Sequence, residues 1–190
     1  MSKGRLEAFS DGVLAIIITI MVLELRAPQG MGISVLGPVL PSLFSYLLSF
    51  LFIGIYWTNH HHLFQAVQKV NGAILWANLH LLFWLSLIPF ATAWMGQGGF
   101  VLGPVALYCF LQLMAAIAYY LLVLALLTHH GKNSTLAKAI GNDRKGKISL
   151  VVYVAAMGLT FFQAVLALGL LVLVAVIWLI PDRRIEKVLS

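Results

Sequence analysis

RLEAFSDGVLAIIITIMVLEL, Arg5 to Leu25, decides how the rest of the chain is read. Its unbroken apolar run, Gly12 to Leu23, covers twelve residues. A helix rises ~1.5 Å per residue and a bilayer core is ~30 Å thick, so a span needs about 20 residues. If this helix spans, Phe9, Ser10 and Asp11 lie at or inside one membrane edge, and Glu24 and Arg26 mark the other. An ionisable residue within a span faces other helices or water rather than lipid. The helix also carries a seam. Arg5, Phe9, Gly12, Ile16, Thr19 and Leu23 are spaced four, three, four, three, four. Residues three and four apart share a helix face. Gly and Thr mark a helix contact as readily as a pore, so spacing alone leaves a packing stripe and a pore face both open.

Working outward, 62% of the chain is hydrophobic and 9% charged, with a mean hydropathy of +0.99. Ordinary soluble domains are about 45–50% apolar and about 25% charged. The chain therefore reads as an all-α integral membrane protein. Its 190 residues accommodate about six spans with short loops and no soluble domain. The single cysteine, Cys109, excludes an internal disulfide and a thiolate metal cluster. A net charge of +6 invites a nucleic-acid reading. That reading fails because the basic residues sit at helix ends, where membrane anchoring explains them. A cleaved secretion signal is rejected as well: Asp11 interrupts the apolar segment and Glu24-Leu25-Arg26 is a poor cleavage site.

The expected spans are about 5–25, 38–62, 73–94, 104–127, 148–160 and 163–180, forming one domain over 1–190. Ala27-Pro28-Gln29-Gly30 ends the first. Pro38 or Pro41 opens the second. Pro89 predicts a kink in the third, and Gly96 to Gly99 read as a turn rather than an ion filter. Thr128 to Lys147 is the one substantial loop. Lys147 to Ile180 would make a single helix of about 50 Å, too long for one crossing, so a turn is placed near Phe161 to Gln163. With both termini cytoplasmic, every Lys and Arg except Arg26 falls inside, which satisfies the positive-inside rule. No internal repeat is visible.

Polar residues concentrate at the expected cytoplasmic end. Asp11, His60, His61, His62, Asn78 and His80 reach similar depths on the first three spans, with Trp57 and Trp76 as indole donors. A metal site is the sharp reading of the histidines. However, three consecutive helical residues point about 100° apart and cannot all face one ion. A hydrogen-bonded structural layer is the better reading, with Asp11 buried in it and paired across helices. His129, His130 and Lys132 read as a solvated basic loop, with a pH sensor as the sharper alternative. No credible nucleophile–base set appears, so an enzyme is not expected, and neither is a cofactor.

RLEAFSD fits the pattern Arg-x-x-x-Phe-Ser-Asp through Arg5, Phe9, Ser10 and Asp11. It resembles the opening signature of the potassium channel family that contains the endolysosomal potassium channel, transmembrane protein 175, and its bacterial relatives. YWTNHHHLF (Tyr56 to Phe64), NLHLLFWLSLIPF (Asn78 to Phe90) and IPDRRIEK (Ile180 to Lys187) extend the resemblance along most of the chain. The resemblance implies a potassium-selective, leak-like channel and a symmetric homotetramer whose first helices line a central pore. It places Ile16, Thr19 and Leu23 at the narrow part, and gives Phe9, Ser10 and Asp11 a structural role beside it. K+ is then the permeating ion. The partners are other copies of the chain and the lipid of a bacterial plasma membrane. The alternative is a proton-coupled secondary transporter using Asp11 and the histidine cluster, although no inverted repeat or broken helix pair supports one.

Overall fold

The computed structural model describes residues 2–30, 32–131, 134–141 and 143–179. Among these the regular elements are helical: α1 (Lys3–Leu23), a 3₁₀ stretch (Ile33–Val39), α2 (Leu40–Gln65), α3 (Gly72–Ser86), α4 (Ile88–Gly98), α5 (Leu102–His130), α6 (Thr135–Ile140), α7 (Arg144–Leu159) and α8 (Ala164–Leu179). The closing IPDRRIEK and Lys132 lie outside the described residues.

Local sequence accounts for most boundaries. Pro41 lies in the first turn of α2, where a missing N–H costs no intrahelical bond. The third expected span is interrupted at Leu87, so that Pro89 falls in the first turn of a second helix, α4. Gly99, with φ +69°, closes α4 in the left-handed region that glycine adopts without steric cost. Asn71 caps α3 by accepting from the Ile74 N–H at 3.0 Å, and Asp143 caps α7 by accepting from the Gly146 N–H at 3.1 Å. The expected long loop after the fourth span is shorter than Thr128–Lys147, because α5 runs on to His130 and α6 occupies part of the remainder.

Among the described residues, four helical segments are long and apolar enough to cross a membrane: Lys3–Leu23, Leu36–Gln65, Gly72–Gly98 and Leu102–His130. At 16 residues α7 is about 24 Å long, short of a full ~30 Å core, and α8 is described over Ala164–Leu179. They pack on each other around a turn at 160–163.

The core sits around α5, which packs against α3, α4, α7 and α8. Tyr108, Cys109, Leu111, Ala115, Ala118, Leu122 and Leu126 turn inward along it. Small residues let neighbouring backbones approach closely, a common device where lipid provides no hydrophobic drive between helices. A Cβ added at Gly96 would lie 2.7 Å from Ser42 Cα, so only glycine fits where α4 meets the start of α2. By contrast, α1 packs against α2, α3 and α4 on one side only.

Candidate functional site

Leu6, Ser10, Leu14, Ile17 and Met21 are the buried residues of α1, again at spacings of three and four. They form the face that α1 turns to its own chain. Arg5, Phe9, Gly12, Ile16, Thr19 and Leu23, the seam read from sequence, are all exposed. The contrast is sharp where it matters: Ile16 is 58% and Leu23 80% exposed, against 2% for Ile17 and 1% for Met21. Nothing in the protomer lies within 4 Å of a Cβ added at Gly12, so internal packing does not require a glycine there. The Thr19 hydroxyl donates to the Ile16 carbonyl at 2.8 Å. Its proton is therefore engaged on the helix, and its oxygen lone pairs remain available on the exposed side.

The polar residues near the start of α1 form two separate sets. The first is buried. Asn78 Nδ2 donates to Ser10 Oγ at 2.9 Å, and Ser10 Oγ donates to the Leu6 carbonyl at 2.9 Å. Asn78 Oδ1 lies 2.8 Å from His60 Nε2. Because the amide oxygen can only accept, His60 carries its proton on Nε2. The His60 ring also stacks on Phe64, with centroids 4.5 Å apart. This chain of bonds ties α1, α2 and α3 together at one depth. The second set is exposed. Trp57 Nε1 donates to Asp11 Oδ1 at 3.1 Å, and the Trp57 ring stacks on His61. His61 and His62 both reach Gln65 one turn on.

The expectation that Asp11 is buried in the layer is therefore corrected. Asp11 is exposed in the chain, though it does pair across helices, with Trp57 of α2, and Ser10, expected beside it in the structural motif, is the member of the two that is buried. Burying a carboxylate costs far more than burying a hydroxyl. A rotation of about 100° between consecutive residues lets the helix choose the cheaper one. Trp76 is exposed, and His80 accepts from Trp84 Nε1 at 2.8 Å within α3. His129 and His130 are not in a solvated loop either. They end α5 and bond to the α2–α3 connection: His129 Nδ1 meets Asn71 Nδ2 at 3.2 Å. His130 Nδ1 donates to the Leu126 carbonyl at 2.9 Å, and its Nε2 accepts from the Gln68 N–H at 3.3 Å. Among the described residues no three His, Cys, Asp or Glu side chains cluster as metal ligands.

A second buried network has no counterpart in the sequence reading. Ser49 Oγ lies 2.7 Å from Thr92 Oγ1 and 2.9 Å from Tyr108 OH, and Gln112 Nε2 donates to Tyr108 OH at 3.1 Å. It joins α2, α4 and α5. Ser49 is eleven residues from His60, so the two networks are about 16 Å apart along α2. Isolated hydroxyls in apolar runs are the only sequence signal for it, and they are too common in helices to point to one another.

Residues 5–89 match the family model described as "Endosomal/lysosomal potassium channel TMEM175". A potassium channel of Chryseobacterium sp. (strain P1-3) is 57% identical over 190 residues, covering 100% of this chain and 99% of that one. The crystal structure of a lysosomal potassium-selective channel TMEM175 homolog from Chamaesiphon minutus superposes with a TM-score of 0.81 at 30% identity, covering 93% of this chain and 95% of that one. The mouse endosomal/lysosomal proton channel TMEM175 is 33% identical over 103 residues, 48% of this chain and 21% of the mouse protein.

Proposed function

This chain belongs to the endosomal/lysosomal potassium channel TMEM175 family, and from that premise we propose that it is a potassium-selective, leak-like channel in a bacterial plasma membrane. The family is one of ion channels rather than enzymes. In this reading four copies assemble around an axis, and α1 from each lines one central pore. One observation carries it. The face of α1 bearing Gly12, Ile16, Thr19 and Leu23 is left open by its own chain, while the opposite face is fully packed. A single helix cannot enclose a pore, but cyclic symmetry brings identical seams to one axis. Ile16 and Leu23 then form apolar rings, and such rings gate by dewetting. Thr19 sets a ring of hydroxyl oxygens between them, and α7 and α8 complete a six-span unit. Purified protein in planar bilayers should give unitary currents reversing near the potassium equilibrium potential, with a steady open probability across voltages. Slow, saturable flux without unitary events would overturn the channel reading.

The hydrogen bonding weighs against a proton relay through Asp11 and the histidines. Asp11 is bonded to an indole, and His60 to an amide. Neither bond joins the carboxylate to a histidine.

The orientation, with both termini cytoplasmic, rests on the Lys and Arg distribution. Gln97 and Lys138 are exposed at opposite ends of the bundle in this reading, and native Cys109 is buried and silent to labelling. In intact cells, a cysteine at Gln97 should react with an impermeant maleimide and one at Lys138 should not. Equal labelling of the two would refute this topology.

A further inference from the structure

The buried network that joins α2, α4 and α5 runs in one direction. The Ile88 carbonyl can only accept, and Thr92 Oγ1 lies 2.7 Å from it, so the single Thr92 proton is given there. Ser49 Oγ, 2.7 Å from Thr92 Oγ1, then donates to Thr92. With its own proton committed, Ser49 Oγ accepts from Tyr108 OH at 2.9 Å. Tyr108 in turn accepts from the Gln112 amide at 3.1 Å. Four donors thus point one way, from α5 through α2 to α4, and all four side chains are 5% exposed or less.

Thr92, where the chain of donors ends, is also where it meets α1. Its Oγ1 lies 4.0 Å from the sulfur of Met21, a residue fully enclosed by the protomer. Met21 precedes Leu23 by two residues, about 200° around the helix. The two side chains therefore lie on opposite sides of one turn, and whatever presses on Met21 moves Leu23 away from α4. A hydroxyl pair sits at about 2.7 Å, where carbon-sized groups need about 3.5 Å or more. The network lets α4 lie closer to α2 than apolar side chains would allow, and packed interiors transmit such differences. We propose that Thr92 is a positioning residue for the Leu23 constriction: its hydroxyl, held between Ser49 and the Ile88 carbonyl, sets how far Met21, and with it the end of α1, stands from the pore axis. This role rests on reading α1 as the pore helix, and it adds the element that backs that helix.

Unitary conductance of the full chain in planar bilayers tests it. Thr92→Val puts a methyl group where the hydroxyl sits 2.7 Å from Ser49, which crowds Met21. It should lower conductance by about twofold or more. Thr92→Ser keeps the hydroxyl and should conduct like the parent. Thr92→Ala removes bulk behind Met21 and should raise conductance; it takes the place of the valine variant if that one does not assemble. Leu23→Ala removes the ring on which Thr92 acts, so adding the Thr92 change to it should alter conductance no further. A role in stability alone would lower the melting temperature and the number of active channels, and leave the conductance of each channel untouched. Parental conductance in Thr92→Val and Thr92→Ala, beside an altered Leu23→Ala, would overturn the positioning role and leave the pore reading standing. So would a Thr92 effect that persists in full on Leu23→Ala. If Leu23→Ala itself conducts like the parent, the pore reading fails and the role of Thr92 fails with it.

Discussion

Ile16→Asn should raise unitary conductance several-fold and shift the reversal potential in a potassium–sodium gradient toward zero. If four Ile16 side chains close on one axis, the bottleneck is a ring of methyl groups that disfavours water. An amide of similar length both wets that ring and supplies oxygens that coordinate either cation, so the barrier falls and discrimination falls with it. Leu23→Asn should act in the same direction at the second ring. Thr19→Val keeps nearly the same shape but removes an oxygen on the exposed side of α1, whose proton is engaged by the Ile16 carbonyl. Its expected effect is a changed potassium-to-sodium preference at roughly parental conductance. The controls lie on the packed face. Ile17→Val and Met21→Leu replace residues that are 2% and 1% exposed. They should cost about 0.5–1.5 kcal/mol of stability and leave permeation alone. Val22 is a poor control: it is 45% exposed, about 60° around the helix from Thr19. If Ile17 or Met21 variants changed reversal potentials while Ile16, Thr19 and Leu23 variants did not, the seam would be a packing face and the pore would lie elsewhere.

Asn78→Leu should be among the most damaging single changes away from the pore. The side chain is fully enclosed and bonds to both Ser10 and His60. Leucine keeps much of the volume but leaves the His60 Nε2–H buried without an acceptor, at a cost of about 1–3 kcal/mol. Measured side-chain bonds in membranes fall toward the lower part of that range, because the separated helices find other partners. Ser10→Ala should cost less, since it removes a donor to a carbonyl already inside a helix and leaves only one Asn78 N–H unpaired. Asp11→Ala should cost least within the protomer, because Asp11 is exposed and Trp57 can turn to water. Melting temperatures in detergent, read alongside the fraction of intact oligomer, give the ranking Asn78, then Ser10, then Asp11. If Asp11→Ala collapsed the protein while Asn78→Leu melted like the parent, the buried bridge would not be what holds α1 to α2 and α3.

The amino-acid sequence by itself determined that this chain lives in a membrane, roughly where its helices run, and where proline and glycine interrupt them. Those features follow from composition, from length against bilayer thickness and from local backbone chemistry, none of which needs a partner. The spacing of Gly12, Ile16, Thr19 and Leu23 was legible for the same reason, as a pattern within one helix. Which face of α1 turns inward was not. Its residues are apolar on every side, and lipid is as apolar as a protein interior, so hydropathy has no inside or outside to report. Only packing against α2, α3 and α4 buried Leu14, Ile17 and Met21 and left Ile16 and Leu23 open. The same holds for the polar layer. Sequence chemistry favours Asp11 as the partner of the histidines because it carries the charge. The tertiary fold chose Ser10, since a hydroxyl bonded to Leu6 and Asn78 can be buried at a cost that a carboxylate cannot match. The Ser49–Thr92–Tyr108 network was invisible beforehand for a related reason. Its members are 43 and 59 residues apart along the chain, and only the docking of α4 and α5 onto α2 brings their oxygens within hydrogen-bonding distance.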